Sequence, residues 1–139
     1  MKNLLIAFTL LTAILSVSAQ ENEGITLTVV IENVLNDEGY VLSALHSQET
    51  FMKADGLQTR KNKAEKGPLT LTFTNIKAGT YAISILHDEN ENNRMDFEAN
   101  GMPKENYAMS QNSMLMGPPT FDEVKFAVED VDMNLILRF

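Results

Sequence analysis

The strongest constraint on this chain is an alternation of period two. In Pro68–Asn75 (PLTLTFTN), Leu69, Leu71 and Phe73 fall on one side and Thr70, Thr72 and Thr74 on the other. Successive side chains of an extended strand point to opposite faces, so such a segment buries one face and wets the other. Gly24–Asn33 (GITLTVVIEN) repeats the pattern, with Ile25, Leu27, Val29 and Ile31 in phase. Tyr40–His46 and Thr80–His87 continue it, the latter with Tyr81, Ile83 and Ile85 on one face. Phe121–Val128 and Asp132–Phe139 complete the set, and Met133, Leu135, Leu137 and Phe139 share a face of the last. Turn residues separate the runs, notably Asn36-Asp37-Glu38-Gly39 and Ile76-Lys77-Ala78-Gly79. Helical spacing never persists through three turns beyond residue 20. The expectation is an all-β fold, an antiparallel β-sandwich of at least six strands. Ser47–Gly67 reads as a loop or short helix, and Asp88–Thr120 as a long irregular loop between the fourth and fifth strands.

The first twenty residues follow a different rule. Lys2 gives a positive start, Leu4 to Val17 is an apolar run, and Val17-Ser18-Ala19 supplies small residues for cleavage. This is the layout of a secretory signal peptide, with a run shorter than the about 20 residues that span a bilayer. It predicts cleavage after Ala19, one domain over 20–139, and a periplasmic or extracellular location without a later membrane span. The full chain has no cysteine. That excludes a disulfide scaffold, a thiolate zinc site, a thiol nucleophile and a lipid-anchored N-terminal cysteine. A net charge of −8 argues against a general nucleic-acid binder, which needs basic surface. An exported chain without disulfides relies on its core or on bound ions.

The acidic segment after the fourth strand holds the clearest candidate site. His87–Pro103 reads HDENENNRMDFEANGMP. Asp88, Asn90, Asn92 and Asp96 occupy positions 1, 3, 5 and 9 of a D-x-N-x-N-x-x-x-D pattern. Oxygen side chains on alternate residues of a tight loop converge on one centre, and hard cations such as calcium take six to eight oxygens. Asn93 stands at position 6, where a sharp turn calls for a residue tolerant of the left-handed conformation. Arg94 at position 7 offers its backbone carbonyl. Position 12 is Ala99 rather than the bidentate Glu, Glu98 lies one residue early as a weaker fifth ligand, and no flanking helices are evident. The alternative is a solvated acidic turn, since Asp and Asn bond readily to nearby backbone.

Other chemistry is thinner. His46 and His87 end strands in phase with apolar positions and read as rim residues; two histidines with nearby carboxylates make only a meagre zinc set. Met95, Met102, Met109, Met114 and Met116 lie in the long loop, and thioethers favour Cu(I), although flexible gap-filling over the sandwich end is the plainer reading. Ser110 and Ser113 lack a Gly-x-Ser-x-Gly setting, and no phosphate-cradling glycine loop is present.

Several stretches together resemble a known family. These are Asn75–Asp96 (NIKAGTYAISILHDENENNRMD), Gly101–Tyr107 (GMPKENY), Ser110 with Asn112, and Gly117-Pro118-Pro119-Thr120-Phe121. They are similar to the exported bacterial family catalogued as domain of unknown function 2141. Its pattern has a Gly-x-Tyr-Ala strand start, a His-Asp-x-Asn-x-Asn loop, a Gly-x-Pro-x-Glu segment and a Pro-Pro-x-Phe entry to the last strands. The chain departs at Asn93 and Asn106, where the family commonly has Gly. The resemblance implies a small secreted β-sandwich, transthyretin-like, immunoglobulin-like or carboxypeptidase-regulatory-like, and implies no activity.

The residues and the resemblance agree on an exported β-sandwich, and the residues read further as a non-enzymatic module, expected to be monomeric, serving a protein, glycan or envelope partner. The expected cofactor is calcium, held by Asp88, Asn90, Asn92 and Asp96 with Glu98 as the weaker fifth ligand. Two alternatives stand beside it. One is a copper carrier using the loop methionines, among them Met114 and Met116, with His46 or His87; the other is a small hydrolase on a transthyretin-like scaffold.

Overall fold

The computed structural model describes residues 24–113 and 117–139. The leader and the Met114–Met116 step lie outside them. Strands β1 (Ile25–Val34), β2 (Tyr40–His46), β3 (Gln58–Lys63), β4 (Gly67–Ile76) and β5 (Gly79–Asp88) come first. The remaining chain forms β6 (Tyr107–Met109), a 3-10 turn (Ser110–Asn112), α1 (Phe121–Val124), β7 (Phe126–Val128) and β8 (Met133–Leu137). The fold is all-β and built from two sheets. One has the order β4-β1-β8, and the other β3-β2-β5-β6, with β7 also on β5.

Alternation sets the core. Leu27, Val29 and Ile31 on β1 oppose Phe73, Leu71 and Leu69 on β4, and Met133, Leu135 and Leu137 on β8. Three strands therefore present one apolar face, row by row. On the second sheet Leu45 faces Ile83 and Val41 faces His87. The two faces merge in a single cluster in which Phe73, Leu27, Ile31, Leu45, Ile83 and Leu137 are fully buried. Each such side chain contributes about 1.5–3 kcal/mol of hydrophobic stabilisation. A smaller cluster of Phe51, Ala82 and Val124, with Met109 and Phe121 packed on it, covers the other face of β5 at its Ala82 end.

β6 lies inside the segment 88–120 read as an irregular loop, and the structure departs from the alternation-based reading in four further places. First, β3 lies inside the segment read as loop or helix. Its sequence QTRKNK has no apolar residue, because the half-buried face of this edge strand carries Gln58, Arg60 and Asn62. Second, the segment Phe121–Val128 is not one strand. It opens with a four-residue helix, because the Glu123 carboxylate accepts hydrogen bonds from both the N–H and the hydroxyl of Thr120 and so caps a turn. Third, β8 runs parallel to β1, while the other pairs are antiparallel. Fourth, His46 and His87 are buried at 8% and 0% exposure rather than on the rim.

Candidate cation-binding loop

β5 delivers the site. Its last residue, Asp88, pairs with Tyr40 and is wholly buried. Gly39 makes this approach possible. It adopts φ +63°, and a Cβ there would come 1.9 Å from the Asp88 carbonyl oxygen.

From Asp88 the chain coils around its own carboxylate. Asp88 Oδ1 accepts the Asn92 N–H at 3.1 Å, and Oδ2 accepts the Asn93 N–H at 2.8 Å. Asn93 holds the left-handed conformation expected of position 6, with φ 60°. Glu91 does so too, at φ 63°. Asn90 Oδ1 accepts the Asn92 N–H at 3.2 Å, and Asn92 Oδ1 accepts the Arg94 N–H at 3.0 Å. The side-chain amides of Asn90 and Asn92 both donate to Asp96 Oδ2, each at 2.6 Å. Three of the four principal ligands read from the sequence therefore meet at one carboxylate oxygen, and the fourth organises the backbone beneath them.

Glu98 is not brought in. Its backbone belongs to a separate turn, with its N–H on the Met102 carbonyl at 2.7 Å and its own carbonyl accepting the Gly101 N–H at 2.8 Å. The residue is exposed.

Glu105, which the spacing did not single out, closes the loop instead. It is buried, and its carboxylate accepts the Glu89 N–H at 3.1 Å and the Asp96 N–H at 3.3 Å. The Gly-x-Pro-x-Glu segment was the available signal, because its Glu is this residue. Lys104 N–H bonds to the Asp96 carbonyl at 2.8 Å beside it. On the far side, Lys61 of β3 lies 4.3 Å from the Tyr40 ring centre and donates to Asn93 Oδ1 at 2.7 Å.

The segment itself is rich in carboxylates, with Lys61 of β3 the basic group that reaches it from outside. Between 88 and 105 stand Asp88, Glu89, Glu91, Asp96, Glu98 and Glu105 against Arg94 and Lys104 alone, six carboxylates to two basic groups. The Asn90 amide holds the Asp96 carboxyl below its ordinary range; partial burial opposes this, and Asn92, Arg94 and Lys104 add to it. Among the described residues no three His, Asp or Glu side chains gather closely enough to hold a metal by themselves. The residue set fits an ion that accepts amide and backbone carbonyl oxygens. Each asparagine Oδ1 that receives one N–H keeps a second lone pair for such an ion.

Neither histidine takes part in the convergence on Asp96. His46 lies edge-on to Phe51, with Nε2 3.1 Å from Ser84 Oγ and Nδ1 3.3 Å from Thr50 Oγ1. Burial lowers its pKa, with the Thr50 hydrogen bond opposing. Among the described residues no carboxylate is bonded to His46, so the Ser84–His46 pair lacks the acid of a hydrolytic triad. His87 faces the core, with Nε2 2.8 Å from the Glu38 carbonyl and Nδ1 3.8 Å from Glu89 Oε1.

No helix among the described residues is long and apolar enough to cross a membrane. No curated protein and no solved structure matches the chain. The sequence pattern of one bacterial family covers residues 29–135, from the middle of β1 into β8, and the chain therefore belongs to the family described as uncharacterized protein conserved in bacteria (DUF2141).

Proposed function

We propose that this protein is an exported, non-enzymatic binding or structural module whose Asp88–Asp96 loop takes a hard, oxygen-preferring cation, calcium first. The observation that carries the reading is the convergence of Asn90 and Asn92 on Asp96 above the buried Asp88 carboxylate. A cation entering there replaces two amide N–H donors with a full positive charge and offsets the excess of carboxylates around it. Its effect is to order the segment between β5 and β6, which then presents a defined surface to a protein, glycan or envelope partner. Export is supported by the leader-like start of the sequence, Lys2 followed by the apolar run to Val17 and Val17-Ser18-Ala19.

The test is a thermal melt of the purified protein in EDTA, then with calcium or magnesium added. A ligand that binds only the folded state raises stability by mass action. A calcium-specific rise that is lost in Asp96→Ala supports the site. An unchanged midpoint at millimolar calcium returns the loop to a self-bonded acidic turn.

A further inference from the structure

A second feature lies at one edge of the β4-β1-β8 sheet. β4 is an edge strand. Its stretch from Leu69 to Ile76 (LTLTFTNI) has no charge, no proline and no glycine, and is made mostly of Thr and apolar residues. Such a strand with an open edge is a template for adding another chain.

The open side of β4 is occupied by side chains. Gln58 Nε2 donates to the Thr74 carbonyl at 2.7 Å, and Arg60 Nε donates to the Thr72 carbonyl at 2.9 Å. Both donors come from β3, the edge strand of the other sheet. These bonds mark the Thr72 and Thr74 carbonyls as free of β1, Thr74 standing at the register shift of the β1–β4 pairing between Phe73 and Ile76. Gln58 and Arg60 are likewise two residues apart, and they meet β4 in antiparallel order. Arg60 is held in this position by more than one contact. Its guanidinium carbon lies 5.1 Å from the Phe73 ring centre, and its terminal nitrogens donate to the Thr59 carbonyl at 2.8 Å and to Gln58 Oε1 at 2.9 Å. Two polar side chains thus stand where the next strand of the sheet would bond.

We infer that Gln58 and Arg60 form a bracket that fills the free edge of β4 and keeps a second copy of this chain from pairing with it, β4 against β4. The bracket also joins the two sheets along an edge where their backbones do not pair. It explains the presence of arginine and glutamine on the inward side of β3, where apolar residues would extend the core but leave the β4 carbonyls open.

The experiment compares the wild type with Gln58→Ala/Arg60→Ala by sedimentation velocity over a rising concentration series, with amide hydrogen exchange on β4. Arg138→Ala, which removes one positive charge beside Glu32 away from this edge, is the control. The double variant is expected to form a species of twice the chain mass, with the Thr72 and Thr74 amides protected in that species, while the control remains monomeric. Adding Thr72→Lys places a charge on the exposed face of β4 and is expected to restore the monomer, which loss of folding alone would not allow. Gln58→Ala alone keeps the Arg60 stack on Phe73 and is expected to associate more weakly than the double variant. A double variant that stays monomeric with β4 exchange like the wild type overturns the inference. So does association that persists after Thr72→Lys.

Discussion

Glu105 Oε2 accepts the backbone N–H of Asp96, nine residues earlier, at 3.3 Å. Its other oxygen takes the N–H of Glu89 at 3.1 Å, so one buried carboxylate ties both ends of the loop together. Glu105→Gln keeps the shape but turns one acceptor into a donor facing an N–H. A buried donor left without its acceptor costs about 1–3 kcal/mol. The expected result is a fall of that size in urea-unfolding free energy, with faster amide exchange at Glu89 and Asp96.

Cation binding should separate the ligands by position. Asp88→Ala and Asp96→Ala are expected to abolish a calcium-induced rise in midpoint, whereas Glu98→Ala leaves it intact because Glu98 sits on its own turn. For a site of about 1 mM affinity, about 10 mM calcium stabilises the native state by about 1.4 kcal/mol. That amounts to a shift of roughly 4–6 °C for a domain of this size. Equal shifts in all three variants would remove the site from this loop.

Acid should weaken the protein in two separate windows. Burial keeps His46 below the ordinary imidazole value of 6.5 in the folded state. The unfolded chain therefore binds the proton first, and stability falls as pH drops below about 6.5 toward the lower folded value. Asp96 is held low by the Asn90 amide, so its contribution is complete above 3.8 and is lost only as pH falls through its still lower folded value. Urea midpoints of the wild type should decline as pH falls below about 6.5. His46→Gln should flatten that decline while leaving the more acidic loss in place.

Gly39 is the tightest backbone approach beside the loop. Alanine there meets the Asp88 carbonyl oxygen at 1.9 Å and the Glu89 Cα at 2.8 Å, and must also hold φ +63°. Gly39→Ala is expected to cost about 3 kcal/mol or more, measured by chemical denaturation. Gly101 has φ +82° with open space around it, so Gly101→Ala should cost only about 1–2 kcal/mol, the conformational part alone.

Period-two alternation is a local property, and wherever a strand buries one face and wets the other it is written in the residues. Ile25, Leu27, Val29 and Ile31, with Leu71, Phe73, Ile83, Ile85 and Leu137, are the buried positions that alternation names, and all belong to one core. The loop was readable for a related reason. Asp88, Asn90, Asn92, Asn93 and Asp96 are close in sequence, and their bonds run over four to six residues or fewer. Tertiary structure decided the rest. β3 carries no apolar signal because its half-buried side chains meet the edge of another sheet rather than the core. Alternation determines which face of β8 is buried, but it is the same in either direction, so only the chain's path between the sheets makes β8 parallel to β1. Glu105 reaches Asp96 because the chain turns back at 98–102. Short-range periodicity records burial and local turns; contacts between distant segments, such as those of Glu105, Gln58 and Arg60, exist only once the chain has closed on itself.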